Sequence, residues 1–368
     1  MARIFFMILF VAATTLVRAE PQAPTGDVAS RVENKLKTTR TRDSIFSELR
    51  NKAVVSGRVD ENNIRKAVTF YASFDESLKA DYGAGERAPH TRFNHLHTRF
   101  NHLTEKGQFI FEKDINEKVF TIAKSKGIAG GALEVVDVLD KNGRIFYPAK
   151  GNIAFKKDGW SGSVSMWCKT DSDKLLKTKF CDPVQITQKG ANNGGLWFDF
   201  NDAKPRDLRH GAFSMIPDGQ KGIGEDDPKA PMVRVSGIGW KANDWHHVVL
   251  TFKNLDTGKP DALTAIYIDG KLIGEVKDRA IAMGWDIEKA GIYIAINYIG
   301  LLDEFALFDK ALTGEEVSHL HKNPELLSPL KKKAALENPP ASTAITSEEV
   351  LRGLKDFYRK TARQDGSF

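Results

Sequence analysis

Residues 245–252 read Trp245-His246-His247-Val248-Val249-Leu250-Thr251-Phe252, and residues 265–274 read Ala265-Ile266-Tyr267-Ile268-Asp269-Gly270-Lys271-Leu272-Ile273-Gly274. A third run follows as Leu302-Asp303-Glu304-Phe305-Ala306-Leu307-Phe308. Each has the β-branched and aromatic content of a strand. In the middle run Asp269-Gly270 sits between two β-rich stretches, the strongest short-range signal for a hairpin. In the first, His247, Val249 and Thr251 point to one side and His246, Val248, Leu250 and Phe252 to the other, because successive side chains of a strand alternate. Adjacent histidines on a strand therefore diverge, which favours two structural histidines over a shared metal.

Outward from this stretch the same grammar repeats. Phe70, Ala72 and Phe74 alternate with Thr69, Tyr71 and Ser73, the pattern of a half-buried strand. Gly162–Cys168, Asp182–Thr187, Gly195–Phe200 and Gly211–Met215 read likewise, separated by loops rich in Gly, Asn, Asp and Pro. Many short strands with few helical stretches between them indicate a β-sandwich. At its end, Thr313-Gly314-Glu315-Glu316 has capping-box spacing and predicts a short helix through Val317 and Leu320.

The order of these phrases carries a resemblance. The Phe74-Asp75-Glu76-Ser77-Leu78 opening, the glycine-rich entry Gly127–Val135, the Trp-x-His-Val strand, the Asp-Gly hairpin and the Leu302–Phe308 strand together resemble a laminin-G-like domain of the concanavalin A-like lectin/glucanase superfamily. The resemblance spans residues 68–322. It implies an all-β fold, a concanavalin A-like jelly-roll β-sandwich, with short helical N- and C-terminal extensions. It also implies a structural Ca²⁺ as cofactor, with Asp75 of the opening strand and Asp303 of the closing one as ligands, since a hard cation takes carboxylate and carbonyl oxygens. The acidic loop Glu225-Asp226-Asp227 is a second candidate. Related glucanases use a Glu-x-Asp-x-x-Glu strand for two-carboxylate hydrolysis. The string Glu112-Lys113-Asp114-Ile115-Asn116-Glu117 matches it, but Lys113 and Asn116 suit a surface loop, so no catalytic residue is assigned and the reading leans away from an enzyme.

The flanks are different in kind. Residues 1–19 have a positive start at Arg3, an apolar run Ile4–Val17 and a small-residue end at Ala19, the layout of a cleaved signal peptide. That run is shorter than the ~20 apolar residues of a membrane span. The expectation is a secreted or periplasmic, cell-envelope protein. Residues 20–67 read as a disordered and then helical lead-in, residues 323–345 as a Pro/Lys linker, and residues 346–368 as an amphipathic helix with Val350, Leu351, Leu354, Phe357 and Tyr358 on one face. The heptad His90–Leu96 is repeated without change as His97–Leu103, which reads as a duplication in a tolerant surface loop.

The chain has 368 residues, a formal charge of +6 and two cysteines. The positive charge is spread out, with no Lys/Arg stripe interleaved with aromatics, which argues against nucleic acid as partner. Cys168 and Cys181 lie in neighbouring strand-like runs of an exported chain, so a disulfide is expected; closing a loop of about 14 residues would contribute about 3 kcal/mol. For ligand binding, Trp197, Asp199, Asn201, Arg206, Arg209 and His210 stand out, with Asp202 between them. A sugar site needs an aromatic platform beside amide, carboxylate and guanidinium groups. No serine-hydrolase elbow, phosphate-cradling loop or His-Glu-x-x-His helix is present. The function indicated is non-catalytic recognition of a glycan or glycoprotein through loops of a jelly roll. Left open are a cell-envelope interaction protein that docks a protein partner through its C-terminal helix, and a divergent glycoside hydrolase or lyase.

Overall fold

The computed structural model describes residues 59–92, 118–138, 144–177 and 180–331. The signal segment, most of the lead-in, the second His heptad, the Glu112–Glu117 string and the C-terminal amphipathic helix lie outside the described residues.

Among the described residues, sixteen strands form two antiparallel sheets. The larger contains β1 (Val68–Ala72), β2 (Tyr82–Gly83), β4 (Phe120–Ala123), β5 (Ala132–Val135), β7 (Trp160–Lys169), β12 (His246–Leu255), β13 (Ala262–Ile268), β14 (Lys271–Arg279) and β16 (Gly300–Phe308). Its order is β14-β13-β12-β7-β16-β1-β2, with β5 pairing both β16 and β4. The smaller contains β3 (His90–Arg92), β6 (Arg144–Pro148), β8 (Cys181–Gly190), β9 (Asn193–Phe200), β10 (Leu208–Phe213), β11 (Met232–Val235) and β15 (Gly291–Ile296), in the order β11-β10-β9-β8-β15-β6-β3. This is the β-sandwich that the strand pattern predicts, in the jelly-roll form that the resemblance implies. The start of the repeated heptad, His90–Arg92, is an edge strand on β6 and not wholly loop.

The alternation read from sequence sets the core. Val248, Leu250 and Phe252 of β12 face inward with Val164 and Met166 of β7, against Val184 and Ile186 of β8 and Leu196 and Phe198 of β9. The β13–β14 turn has φ of 51° at Asp269 and 77° at Gly270, the two positive values that a two-residue type I′ hairpin requires. Asp269 adds a side-chain role, accepting His247 N at 2.9 Å and meeting His246 Nδ1 at 2.9 Å.

The outer face of the larger sheet departs from the half-buried expectation. Tyr71, Val249, Ala306 and Phe308 are buried there, beneath α1 (Glu61–Lys66), α2 (Gly314–Lys322) and the 3₁₀ turn Pro324–Leu327. Helix α2 starts with the capping box that its sequence predicts: Thr313 Oγ1 accepts Glu316 N, and Glu316 Oε2 accepts Thr313 N. The reading of 323–345 as linker needs correction over its described part. Leu326, Leu327 and Leu330 pack into the same cluster, and Arg65 Nε donates to Leu326 O at 2.8 Å, so the chain is part of the fold to Lys331.

The disulfide expectation also fails. Cys168 and Cys181 are buried, and no disulfide joins them. They belong to strands of opposite sheets, Cys168 to β7 and Cys181 to β8. Burial pushes the Cys168 thiol well above its ordinary value.

Candidate functional site: a cleft beside the smaller sheet

The six residues singled out for ligand binding are scattered over two faces and a hairpin loop. Register pairs Trp197 with Gly211 and Asp199 with Arg209, placing these side chains on the face of the smaller sheet away from the core. Trp197 is 1% exposed, its Nε1 donates to Ala191 O at 3.0 Å, and its ring stacks on Phe213. In this position it presents no ring to a ligand. His210 points the other way, into the core side; burial holds its imidazole down at about 4 and Nδ1 meets Trp197 O at 2.9 Å. Asn201 and Arg206 belong to the β9–β10 connection. Asn201 Oδ1 accepts Asp207 N, and the Arg206 guanidinium donates to the backbone carbonyls of Asn201 and Leu176.

Asp199 and Arg209 form a buried ion pair, with Nε–Oδ1 at 2.9 Å and Nη2–Oδ2 at 2.5 Å. Burial pushes Asp199 up to about 6, while Arg209 pulls it back. The guanidinium lies against the rings of Phe180 and Trp197 and reaches Glu225 Oε2 through Nη1 at 2.5 Å. Glu225 in turn accepts Asn192 Nδ2 at 2.9 Å. A chain of charged hydrogen bonds therefore runs from the sheet to residues 214–231, the long connection between β10 and β11.

That connection walls a cleft of about 210 Å³. Its lining comes from Asn192 of the β8–β9 turn, Phe213 to Pro217, Lys221 to Ile223, Pro231, and Arg279 to Ile281 beyond β14. The wall is held by main-chain bonds: Met215 N to Ala282 O at 2.7 Å, Ala282 N to Ser214 Oγ at 3.1 Å and Ile216 N to Asn193 Oδ1 at 2.8 Å. A Cβ at Gly222 would meet Ile216 Cδ1 at 2.2 Å, so a larger residue there would push that side chain aside. Phe213, Met215, Ile216 and Ile281 make the cleft apolar. Asn192, Ser214, Lys221 and Arg279 put polar groups on its rim. Asn192 Oδ1 is shielded from water and has no hydrogen-bond partner among the described residues.

The residues expected to hold calcium do not fit it. Both oxygens of Asp303 accept backbone N–H groups, from Ile128, Ala129 and Glu304. Asp75 accepts Gly131 N at 2.8 Å and holds the Lys331 ammonium at 2.6 Å. Carboxylates committed to N–H donors and to an ammonium are poor company for a second cation. Glu225 is held by Arg209 and Asn192, and Asp227 accepts Lys229 N. Among the described residues no three His, Cys, Asp or Glu side chains come together to hold a metal ion. His246 and His247 diverge as their spacing requires: His246 stacks on Trp240, whereas His247 lies under α2 against Trp167 and His321.

Sequence reasoning missed the cleft because its lining comes from four separated segments. Arg209 was found, but as a ligand group and not as the brace it is. The one local signal was the run Pro217-Asp218-Gly219-Gln220-Lys221-Gly222-Ile223-Gly224, a glycine-rich loop carrying an exposed Ile223.

Residues 148–318 match a laminin-G-type family model described as the concanavalin A-like lectin/glucanases superfamily. No curated protein matches the chain. Among solved structures, it is similar to domain 4 of AbnA, a GH43 extracellular arabinanase from Geobacillus stearothermophilus, in complex with arabinotriose. That likeness has 18% identity and a TM-score of 0.41 and covers 69% of this chain and 98% of that one. It is also similar to the receptor-binding domain of botulinum neurotoxin D, with 14% identity and a TM-score of 0.44, covering 71% of this chain and 54% of the other. The chain thus spans about half the length of the toxin domain it matches. No helix among the described residues is long and apolar enough to cross a membrane.

Proposed function

We propose that this chain, whose residues 148–318 carry a domain of the concanavalin A-like lectin/glucanases superfamily, is an exported glycan-recognition protein that holds one sugar residue in the cleft walled by residues 213–223 and 279–281. The observation that carries this is the composition of the cleft: apolar walls from Phe213, Met215, Ile216 and Ile281, with Asn192, Ser214, Lys221 and Arg279 around them. A sugar ring has the complementary make-up, C–H faces that lose little on leaving water and hydroxyl edges that need partners. At about 210 Å³ the space is smaller than the roughly 300–1,000 Å³ of drug-sized sites and suits a single ring. Binding of this kind needs no catalytic residue. Export rests on the signal-like residues 1–19.

The test is a glycan array probed with the full chain, followed by calorimetry on the best ligand. Met215→Trp, which fills the cleft, abolishes binding while circular dichroism and Tm stay near wild type. Asn192→Ala, which removes a polar group from the lining, weakens binding about tenfold, the cost of one hydrogen bond. An array without a glycan ligand, or a ligand whose affinity is indifferent to Met215→Trp, overturns the proposal.

A further inference from the structure

The cations on the cleft rim have no carboxylate to answer them. Lys221 and Arg279 both line the space, and among the described residues neither makes an ion pair. Arg279 spends one guanidinium nitrogen on Lys229 O at 2.5 Å, which orients it and leaves its remaining N–H groups to point elsewhere. Lys221 is exposed, on a loop turn closed by Gln220 N to Pro217 O at 3.1 Å. Three of the four acids of the same loop face other partners. Glu225 is held by Arg209 and Asn192, Asp218 sits 3.6 Å from Lys189, and Asp227 accepts Lys229 N at 2.8 Å.

Other cations of the described residues are either held by carboxylates, as Arg209 and Lys331 are, or stand alone on the open surface, as Lys253, Lys259 and Lys271 do. Two unpaired cations from separate segments lining one ring-sized apolar cleft are a different arrangement. From it we infer that the ligand residue is anionic: a sugar carrying a carboxylate or a sulfate, with its ring against Phe213, Met215 and Ile281 and its charged group between Lys221 and Arg279. The inference rests on the glycan reading of the cleft and specifies its ligand class. Arg279, the half-buried partner fixed by its bond to Lys229 O, sets the position of the acid group; Lys221, free to swing, closes over it.

The experiment uses matched ligands on the full chain: a glucuronide, the same glycoside with its carboxyl reduced to the alcohol, and the same glycoside bearing a 6-sulfate. The acidic forms bind about ten- to a hundredfold more tightly than the neutral one, the range for a charge-assisted hydrogen bond. Raising salt narrows the gap, because the rim is open to screening. Lys221→Gln and Arg279→Gln each lower affinity for the acidic forms far more than for the neutral glycoside, removing most of the preference, and Lys221→Arg restores it. The carboxylate and sulfate arms tell which acid is preferred. If neutral and acidic forms bind alike and Met215→Trp abolishes both, the anionic inference falls and the cleft reading stands. If no form binds, or Met215→Trp leaves binding intact, both fall together.

Discussion

Arg209 is the residue whose replacement tests the most of this structure at once. Its guanidinium is almost wholly buried and faces Asp199 and Glu225, whose side chains are 6% and 21% exposed. Arg209→Met keeps the length and apolar packing against Trp197 and Phe180 but leaves two acids without their cation. Breaking a buried pair by removing one partner costs about 3–5 kcal/mol, because the remaining charge is uncompensated. At about 2 °C per kcal/mol for a domain of this size, Tm falls by roughly 6–10 °C. The sign of the pH dependence follows from Asp199. Burial already holds it up at about 6, and losing Arg209 raises it further. An acid whose folded pKa lies above its unfolded value stabilises the fold below the unfolded pKa, and that contribution is lost as pH rises through the folded value. The variant is therefore closest to wild type near pH 5.5 and furthest from it near pH 8. Urea melts at both pH values, followed by tryptophan fluorescence, measure this, with Asp199→Leu/Arg209→Met as the second arm. Replacing both partners with apolar residues recovers most of the loss. A single variant within about 1 kcal/mol of wild type at pH 8 would refute the account of Arg209 as the buried brace of the cleft loop.

Other consequences are open to simpler measurements. Burial drives Asp303 up to about 8 and Glu304 up to about 7, although backbone N–H groups pull on the first and Lys331 and Tyr71 on the second. Both folded values exceed the unfolded ones, so wild-type Tm falls as pH rises from about 5 to 8, and Glu304→Gln flattens that slope; an unchanged slope in the variant would contradict this. Cys168 and Cys181 react with a thiol reagent only after denaturation, two thiols per chain, and a chain that yields none when denatured without reductant would return the disulfide to the structure. Gly211→Ala places a Cβ 2.3 Å from the Trp197 ring and 2.8 Å from Phe213, so overpacking costs about 1–3 kcal/mol in a denaturant melt; a neutral result would mean that the tryptophan moves aside freely.

The sequence by itself determined the parts of this protein that depend on neighbours in the chain. Alternation in Val248–Phe252 chose which side chains face the core, Asp269-Gly270 chose a type I′ turn, and Thr313 with Glu316 chose where α2 begins. Those choices rest on backbone geometry and on hydrogen bonds a few residues long, so they are legible in a string. Tertiary structure decided the rest. The alternation around Tyr71 and Val249 marks an outer face, but only the packing of α1, α2 and Leu326–Leu330 buries it. The same is true of the polar cluster at Trp197–His210. Its composition matches a sugar site, yet strand pairing sends His210 to the core and joins Asp199 to Arg209, turning candidate ligands into a brace. The two cysteines are 13 positions apart in the chain and lie in different sheets. The cleft draws on residues 192, 213–223, 231 and 279–281, which only the closure of the sandwich brings together. Composition says which groups exist; which of them remain free for a ligand depends on the partners that the fold has already assigned to the others.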